Sequence, residues 1–167
     1  MNPVKVGVIG AGSWGTALAN LLAKKSTATT IWAYETDVVD GINRYHRNPR
    51  YLNEVELDPT LRATPSIEEA VSGADVVVSV APSHFVRRLL GAAGPHLSAD
   101  VQLVSASKGI EVDSLMLMHD VIGDVLPPEV SRKAAFLSGP SFALEVAKEF
   151  PTAVTMASRD SAGAIIT

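Results

Sequence analysis

Glycines 10, 12 and 15, spaced GxGxxG between an apolar run and an apolar-periodic segment, constrain this chain more than any other feature. Residues 4–9 are few and β-branched, as in a buried parallel strand. From Thr16 onward, Ala17, Leu18, Leu21 and Leu22 recur at helical spacing, with Lys24 and Lys25 in the last turn. A strand that turns through glycines into a helix builds an anion site. Gly10 permits the tight bend, Gly12 lets backbone approach a pyrophosphate, and Gly15 lets helix and strand pack closely. The free N–H groups and dipole of the helix start then face the phosphates. The alternative is a glycine-rich turn without a ligand, and a position directly between strand and helix speaks against it.

Strand and helix signals alternate through the rest of the chain. Strands are expected over residues 29–33, 62–64, 75–80, 101–105, 134–137 and 152–157. Helices are expected over 38–45, from a Ser66 cap to near Gly73, over 82–90, over 114–125 up to Pro127-Pro128, and over 141–148. Residues 47–59 read as a polar, proline-bounded loop. The pattern is that of an α/β, Rossmann-like, doubly wound and mainly parallel sheet over residues 1–160. Residues 161–167 read as the start of a linker or helix toward a second, C-terminal domain that the sequence does not contain.

Composition narrows the function. A chain of 167 residues with 47% hydrophobic residues supports one domain with a sizeable core. A net charge of −4 argues against a nucleic-acid or anionic-membrane surface. The absence of cysteine excludes disulfides, thiolate metal sites and cysteine nucleophiles. The four histidines lack ligand spacing, so no metal site is expected. No apolar run approaches the ~20 residues of a bilayer span, and no leader precedes the first strand. A soluble cytoplasmic protein is expected.

In open parallel sheets, ligands bind beyond the carboxyl ends of the strands. Strand two ends Trp32-Ala33-Tyr34-Glu35, with Glu35 twenty residues after Gly15. An acid there accepts from the adenosine ribose and repels the extra phosphate of NADP, which favours NAD. Against this stand two alternatives: a merely solvated glutamate, and a phosphate clamp from Arg44, Arg47 and Arg50 that would admit NADP. After strand four, Pro82-Ser83 suits helix initiation, and Phe85 is placed to wall the cofactor groove. Strand five runs into Ser107-Lys108-Gly109, where Lys108 either meets a phosphate or carbonyl oxygen or is a solvated loop lysine. Strand six runs into Ser138-Gly139-Pro140-Ser141, where Ser141 is an expected N-cap that either holds a substrate phosphate or simply caps the helix.

Five segments together resemble the NAD(P)-dependent glycerol-3-phosphate dehydrogenases. They are the stretch from Gly10 to Ala17, the Trp32 strand, Val80-Ala81-Pro82-Ser83, Ser107-Lys108-Gly109-Ile110-Glu111, and the stretch from Leu137 to Glu145. They occur in family order over nearly the whole chain. The resemblance implies reduction of dihydroxyacetone phosphate to sn-glycerol 3-phosphate for phospholipid synthesis. It implies Ser13, Trp14, Tyr34 and Ala143 as cofactor contacts, Lys108 as shared by cofactor and substrate, and Gly139 and Ser141 as substrate contacts. It also implies a general acid/base lysine in a helical C-terminal domain, within a Gly-x-x-Lys-Asn motif that this sequence lacks. The chain is therefore expected to bind the dinucleotide and turn over little substrate. No nucleic-acid partner or membrane insertion is expected, and a homodimer of the full-length enzyme is left open. The alternatives are another two-domain dehydrogenase and a stand-alone NAD-sensing module.

Overall fold

The computed structural model describes residues 3–159. In chain order the elements are β1 (Lys5–Ile9), α1 (Ser13–Lys24), β2 (Ala28–Trp32), α2 (Thr36–Tyr45), β3 (Arg62–Thr64), α3 (Ile67–Val71), β4 (Val76–Ser79) and α4 (Ser83–Ala93). They continue with β5 (Gln102–Ser105), α5 (Met118–Val125), α6 (Pro128–Ser131), β6 (Ala135–Ser138), α7 (Ala143–Ala147) and β7 (Thr155–Ser158). The strands form one sheet in the order β3-β2-β1-β4-β5-β6-β7, and all neighbours are parallel except β6 and β7.

Central strands carry apolar residues on both sides because helices cover both faces. Val6, Val8, Val78 and Val104 face one core, which α1, α2 and α7 close. Ile9, Val77 and Leu103 face the other, closed by α3, α4, α5 and α6. The chain moves outward one way from β1 to β3 and then returns to the other side at β4. That reversal opens a crevice between the carboxyl ends of β1 and β4, where doubly wound sheets bind ligands.

Several boundaries differ from expectation. α1 begins at Ser13, so the glycine turn is shorter than a start at Thr16 implies. The 47–59 loop is anchored: Leu52, Val55 and Leu57 are buried in the first core, and Asp58 N–H donates to Asn20 Oδ1 at 2.7 Å. α5 starts at Met118 because residues 110–117 close on themselves, with Glu111 N–H donating to Met116 O at 2.9 Å. Pro128 ends nothing further; it opens α6, where its missing N–H is harmless. Ser141 is not an N-cap, because α7 begins at Ala143 after Phe142 and makes no side-chain cap. Likewise Pro82 occupies the cap of α4 with no side-chain hydrogen bond, and Ser83 is its first helical residue. β7 is shorter than 152–157 and antiparallel to β6. The expectation for residues 161–167 lies outside the described residues. No helix among the described residues is long and apolar enough to cross a membrane.

Candidate functional site

The glycine turn is packed to the limit on one side and open on the other. Gly10 has φ +117°, and a Cβ there would lie 2.9 Å from Val80 O, so both backbone and space demand glycine. A Cβ on Gly15 would fall 1.9 Å from Gly10 O, which fixes how closely α1 meets the turn. Gly12 is different: nothing lies within 4 Å of its added Cβ. Gly12 is the extended N-cap of α1 and supplies no capping side chain. The first backbone bond of the helix is Thr16 N–H to Gly12 O at 2.9 Å. The amides of Ser13, Trp14 and Gly15 belong to the first turn, where no intrahelical acceptor exists, and they mark the positive end of the helix dipole. A pyrophosphate fits this arrangement of open space and free donors. The Trp14 ring packs on the first core, and its Nε1 is buried without a partner among the described residues.

Beside the turn lies a cavity of about 540 Å³ lined by Gly10, Gly12, Trp32, Tyr34, Glu35, Tyr51, Pro82, Phe85 and Arg88, among others. It spans the crevice between the ends of β1, β2 and β4. Glu35 is the cap residue of α2, and its Oε1 accepts a hydrogen bond from Tyr51 Oη at 2.6 Å. That bond, more than burial, raises the Tyr51 phenol above its ordinary pKa, since ionisation would set two negative charges side by side. Tyr34 is 77% exposed at the cavity mouth. Phe85 walls the opposite side, with the Arg88 guanidinium 5.1 Å from its ring centre.

The three arginines of the clamp alternative are all engaged elsewhere. Arg50 Nε donates to Asp37 Oδ2 at 2.7 Å, which holds the Asp37 carboxyl below the usual aspartate range. Arg44 pairs with Asp40 at 3.6 Å one turn back on α2. Arg47 donates to Asn53 O at 3.0 Å and lies 3.9 Å from Glu56. None of the three lines the cavity.

The remaining sequence-predicted residues string out along the same carboxyl edge, beyond this cavity. Lys108 follows β5, and its Nζ donates to Leu137 O near the end of β6 at 3.0 Å. Gly109 has φ +95°, and its missing Cβ would sit 3.6 Å from Ser83 Oγ at the start of α4. A Cβ on Gly139 would meet Ala153 O at 2.8 Å, so this glycine lets the segment before β7 press against the loop after β6. Ser141 lies in that loop, and Ala143 opens α7 and packs on the first core. The structure thus brings Gly10, Gly12, Tyr34 and Glu35 into one cavity. Lys108 joins the Gly139 loop through the carbonyl of Leu137.

Two residues escaped the sequence reading. Tyr51 and Asn48 sit in the anchored 47–59 loop, where no periodicity marks them. Asn48 is fully buried; its Nδ2 donates to Ala11 O and Thr16 Oγ1, both at 2.8 Å, and its Oδ1 accepts from the amides of Arg50 and Tyr51. This one amide holds the Tyr51 loop against the glycine turn, and Ser13 Oγ adds a bond to Tyr51 O at 2.7 Å. An asparagine beside a proline and two arginines was the available signal, but a buried asparagine and a solvated one look alike in sequence.

Comparison with known proteins agrees with this geometry. The family described as NAD-dependent glycerol-3-phosphate dehydrogenase N-terminus matches residues 5–164. The chain is 52% identical over 158 residues to a glycerol-3-phosphate dehydrogenase (NAD(P)+) of Geobacter sulfurreducens, covering 95% of this chain and 47% of that protein. It is 54% identical over 156 residues to the Geobacter metallireducens protein of the same name, covering 93% of this chain and 47% of that protein. The crystal structure of glycerol-3-phosphate dehydrogenase from Coxiella burnetii superposes with a TM-score of 0.85 at 34% identity, covering 96% of this chain and 48% of that one. The chain therefore spans about half the length of the curated relatives it matches. By its ordered motifs, its sheet and this match, the chain belongs to the NAD-dependent glycerol-3-phosphate dehydrogenase family, whose N-terminal, dinucleotide-binding region it represents.

Proposed function

We propose that residues 1–160 are the cofactor-binding domain of a glycerol-3-phosphate dehydrogenase. The whole enzyme moves hydride reversibly between NAD(P)H and dihydroxyacetone phosphate, giving sn-glycerol 3-phosphate for phospholipid synthesis in the cytoplasm. A bound nicotinamide dinucleotide would supply or take up the hydride, and this chain's residues bind and orient it. Gly10, Gly12 and the amides of Ser13, Trp14 and Gly15 receive the pyrophosphate. Glu35 accepts from the adenosine ribose, with Tyr34 and Tyr51 beside it. Lys108 and Ala143 approach the cofactor further along the edge, and Lys108, Gly139 and Ser141 hold the phosphate ester and carbonyl of the substrate. A general acid/base lysine belongs to the remainder of the enzyme, beyond the half of the relatives that this chain spans.

One observation carries the reading: a cavity that joins an open-faced Gly12 to an acidic Glu35, beside a helix start with free donors. The same cavity favours NAD(H), since Glu35 lines it while Arg44, Arg47 and Arg50 are engaged with other partners. Titration of the purified protein with NADH and NADPH, followed by cofactor fluorescence, tests this. Tighter binding of NADH is expected. Tighter NADPH would mean that an arginine meets the extra phosphate, whether Arg88 from the cavity wall or one released from its present partner, and binding of neither would refute the site.

A further inference from the structure

Residues 106–117, between β5 and α5, reverse the usual order of inside and outside. Ile110, Val112, Leu115 and Leu117 are exposed, whereas Glu111 is only 7% exposed. A carboxylate withdrawn from water needs partners, and Glu111 has a full set. Arg87 of α4 grips it with both arms of its guanidinium, Nε to Oε1 at 2.9 Å and Nη2 to Oε2 at 3.0 Å. Ser114 Oγ donates to Oε2 as well. Arg87 in turn is held on its outer side by Asp124 of α5 and touches Met116 Sδ at 3.4 Å. The backbone around Glu111 is closed: its N–H reaches Met116 O at 2.9 Å, and Leu115 N–H reaches Glu111 O at 2.8 Å with Leu115 at φ +58°. A two-armed grip fixes direction as well as distance.

Lys108 stands three residues before Glu111 on this same loop. A lysine is a point charge on a long flexible stem, so its reach is set by where the backbone delivers it. α4 supplies the grip at Arg87 and also walls the cavity with Phe85 and Arg88. Gly109 brings the loop against Ser83 at the start of that helix. We infer that the Arg87–Glu111 pair, braced by Ser114, is a positioning unit that registers the Lys108 ammonium at the carboxyl edge of the sheet, beside the Gly139 loop where its Nζ meets Leu137 O. It rests on the reading of Lys108 as a cofactor and substrate contact.

The test is a double-mutant cycle on the full-length enzyme, with kcat and KM for dihydroxyacetone phosphate and Tm measured together. Glu111→Gln is expected to lower kcat/KM by about tenfold or more, since misplacing a positioned group costs up to ~100-fold. Arg87→Lys, which keeps the charge and loses the fork, should fall by a similar factor, whereas Asp124→Asn should stay within about twofold. The deciding variant is Glu111→Gln in a Lys108→Ala background: if Glu111 acts through Lys108, the second change costs less than about twofold more. Losses that multiply in the double variant overturn the inference, because Glu111 would then act on the fold at large. If Lys108→Ala leaves the kinetics unchanged, the reading of Lys108 falls and the inference with it. If Lys108→Ala is impaired and Glu111→Gln is not, the inference alone falls. Should Glu111→Gln fail to fold, Ser114→Ala removes one bond to the same carboxylate and enters the same cycle.

Discussion

Gly12 and Gly15 belong to one motif yet meet opposite surroundings, and substituting each should separate binding from stability. Gly15→Ala drives a methyl to 1.9 Å from Gly10 O, so α1 must lift off the turn. A loss of about 2 kcal/mol or more is expected, read as a lower denaturant midpoint. Gly12→Ala meets no protein atom within 4 Å. Its Tm should hardly move, while the NADH dissociation constant should rise about tenfold or more as the methyl takes the pyrophosphate's place. Equal stability losses in the two variants would contradict this division. At the other end of the cavity, Glu35→Ala removes an acceptor and a charge together. NADH should bind about tenfold more weakly and NADPH somewhat more tightly, checked by the same fluorescence titration. Residues such as these were legible because glycine at fixed spacing and an acid after strand two have a direct backbone or charge meaning. Tyr51 and Asn48 were not, because their roles come from a tertiary anchor between loop and turn.

Among the elements, the strands were read best. Arg62–Thr64 matches residue for residue, and the valine-rich β4 was unmistakable, since a strand buried on both faces is apolar throughout. Helix starts after β5 and β6 were read too early, at Ser114 and Ser141. Ser141 looked like a cap and makes none, while Ser114, the expected first residue of the helix, spends its hydroxyl on Glu111. Local propensity could not foresee that an ion pair between half-exposed Arg87 and buried Glu111 closes residues 110–117 into a compact loop before α5 begins. That loop should be sensitive to acid. Arg87, and secondarily Ser114, hold the Glu111 carboxyl below the ordinary glutamate value of 4.5. The unfolded chain therefore binds this proton first. The stabilisation is fully present above the ordinary value and disappears as pH falls through the lowered one. The Tm gap between the parent and Glu111→Gln should thus be widest near about pH 6 and shrink as the pH falls below 4.5. A gap independent of pH would mean that packing, not charge, is what Glu111 contributes.

Over the whole molecule, the doubly wound order was legible from the alternation of strand and helix signals, which leaves few ways to lay out a parallel sheet. The direction of β7 was not, because a short half-exposed strand carries no mark of its orientation. That direction has a practical side. Ser158 pairs with Ala135, the first residue of β6, so β7 carries the backbone to the amino edge of the sheet, away from Lys108 and Ser141. A four-residue strand covers about 13 Å. A fluorophore attached at Arg159 would therefore stand clear of the crevice by roughly that length, able to report tumbling or assembly without obstructing a ligand.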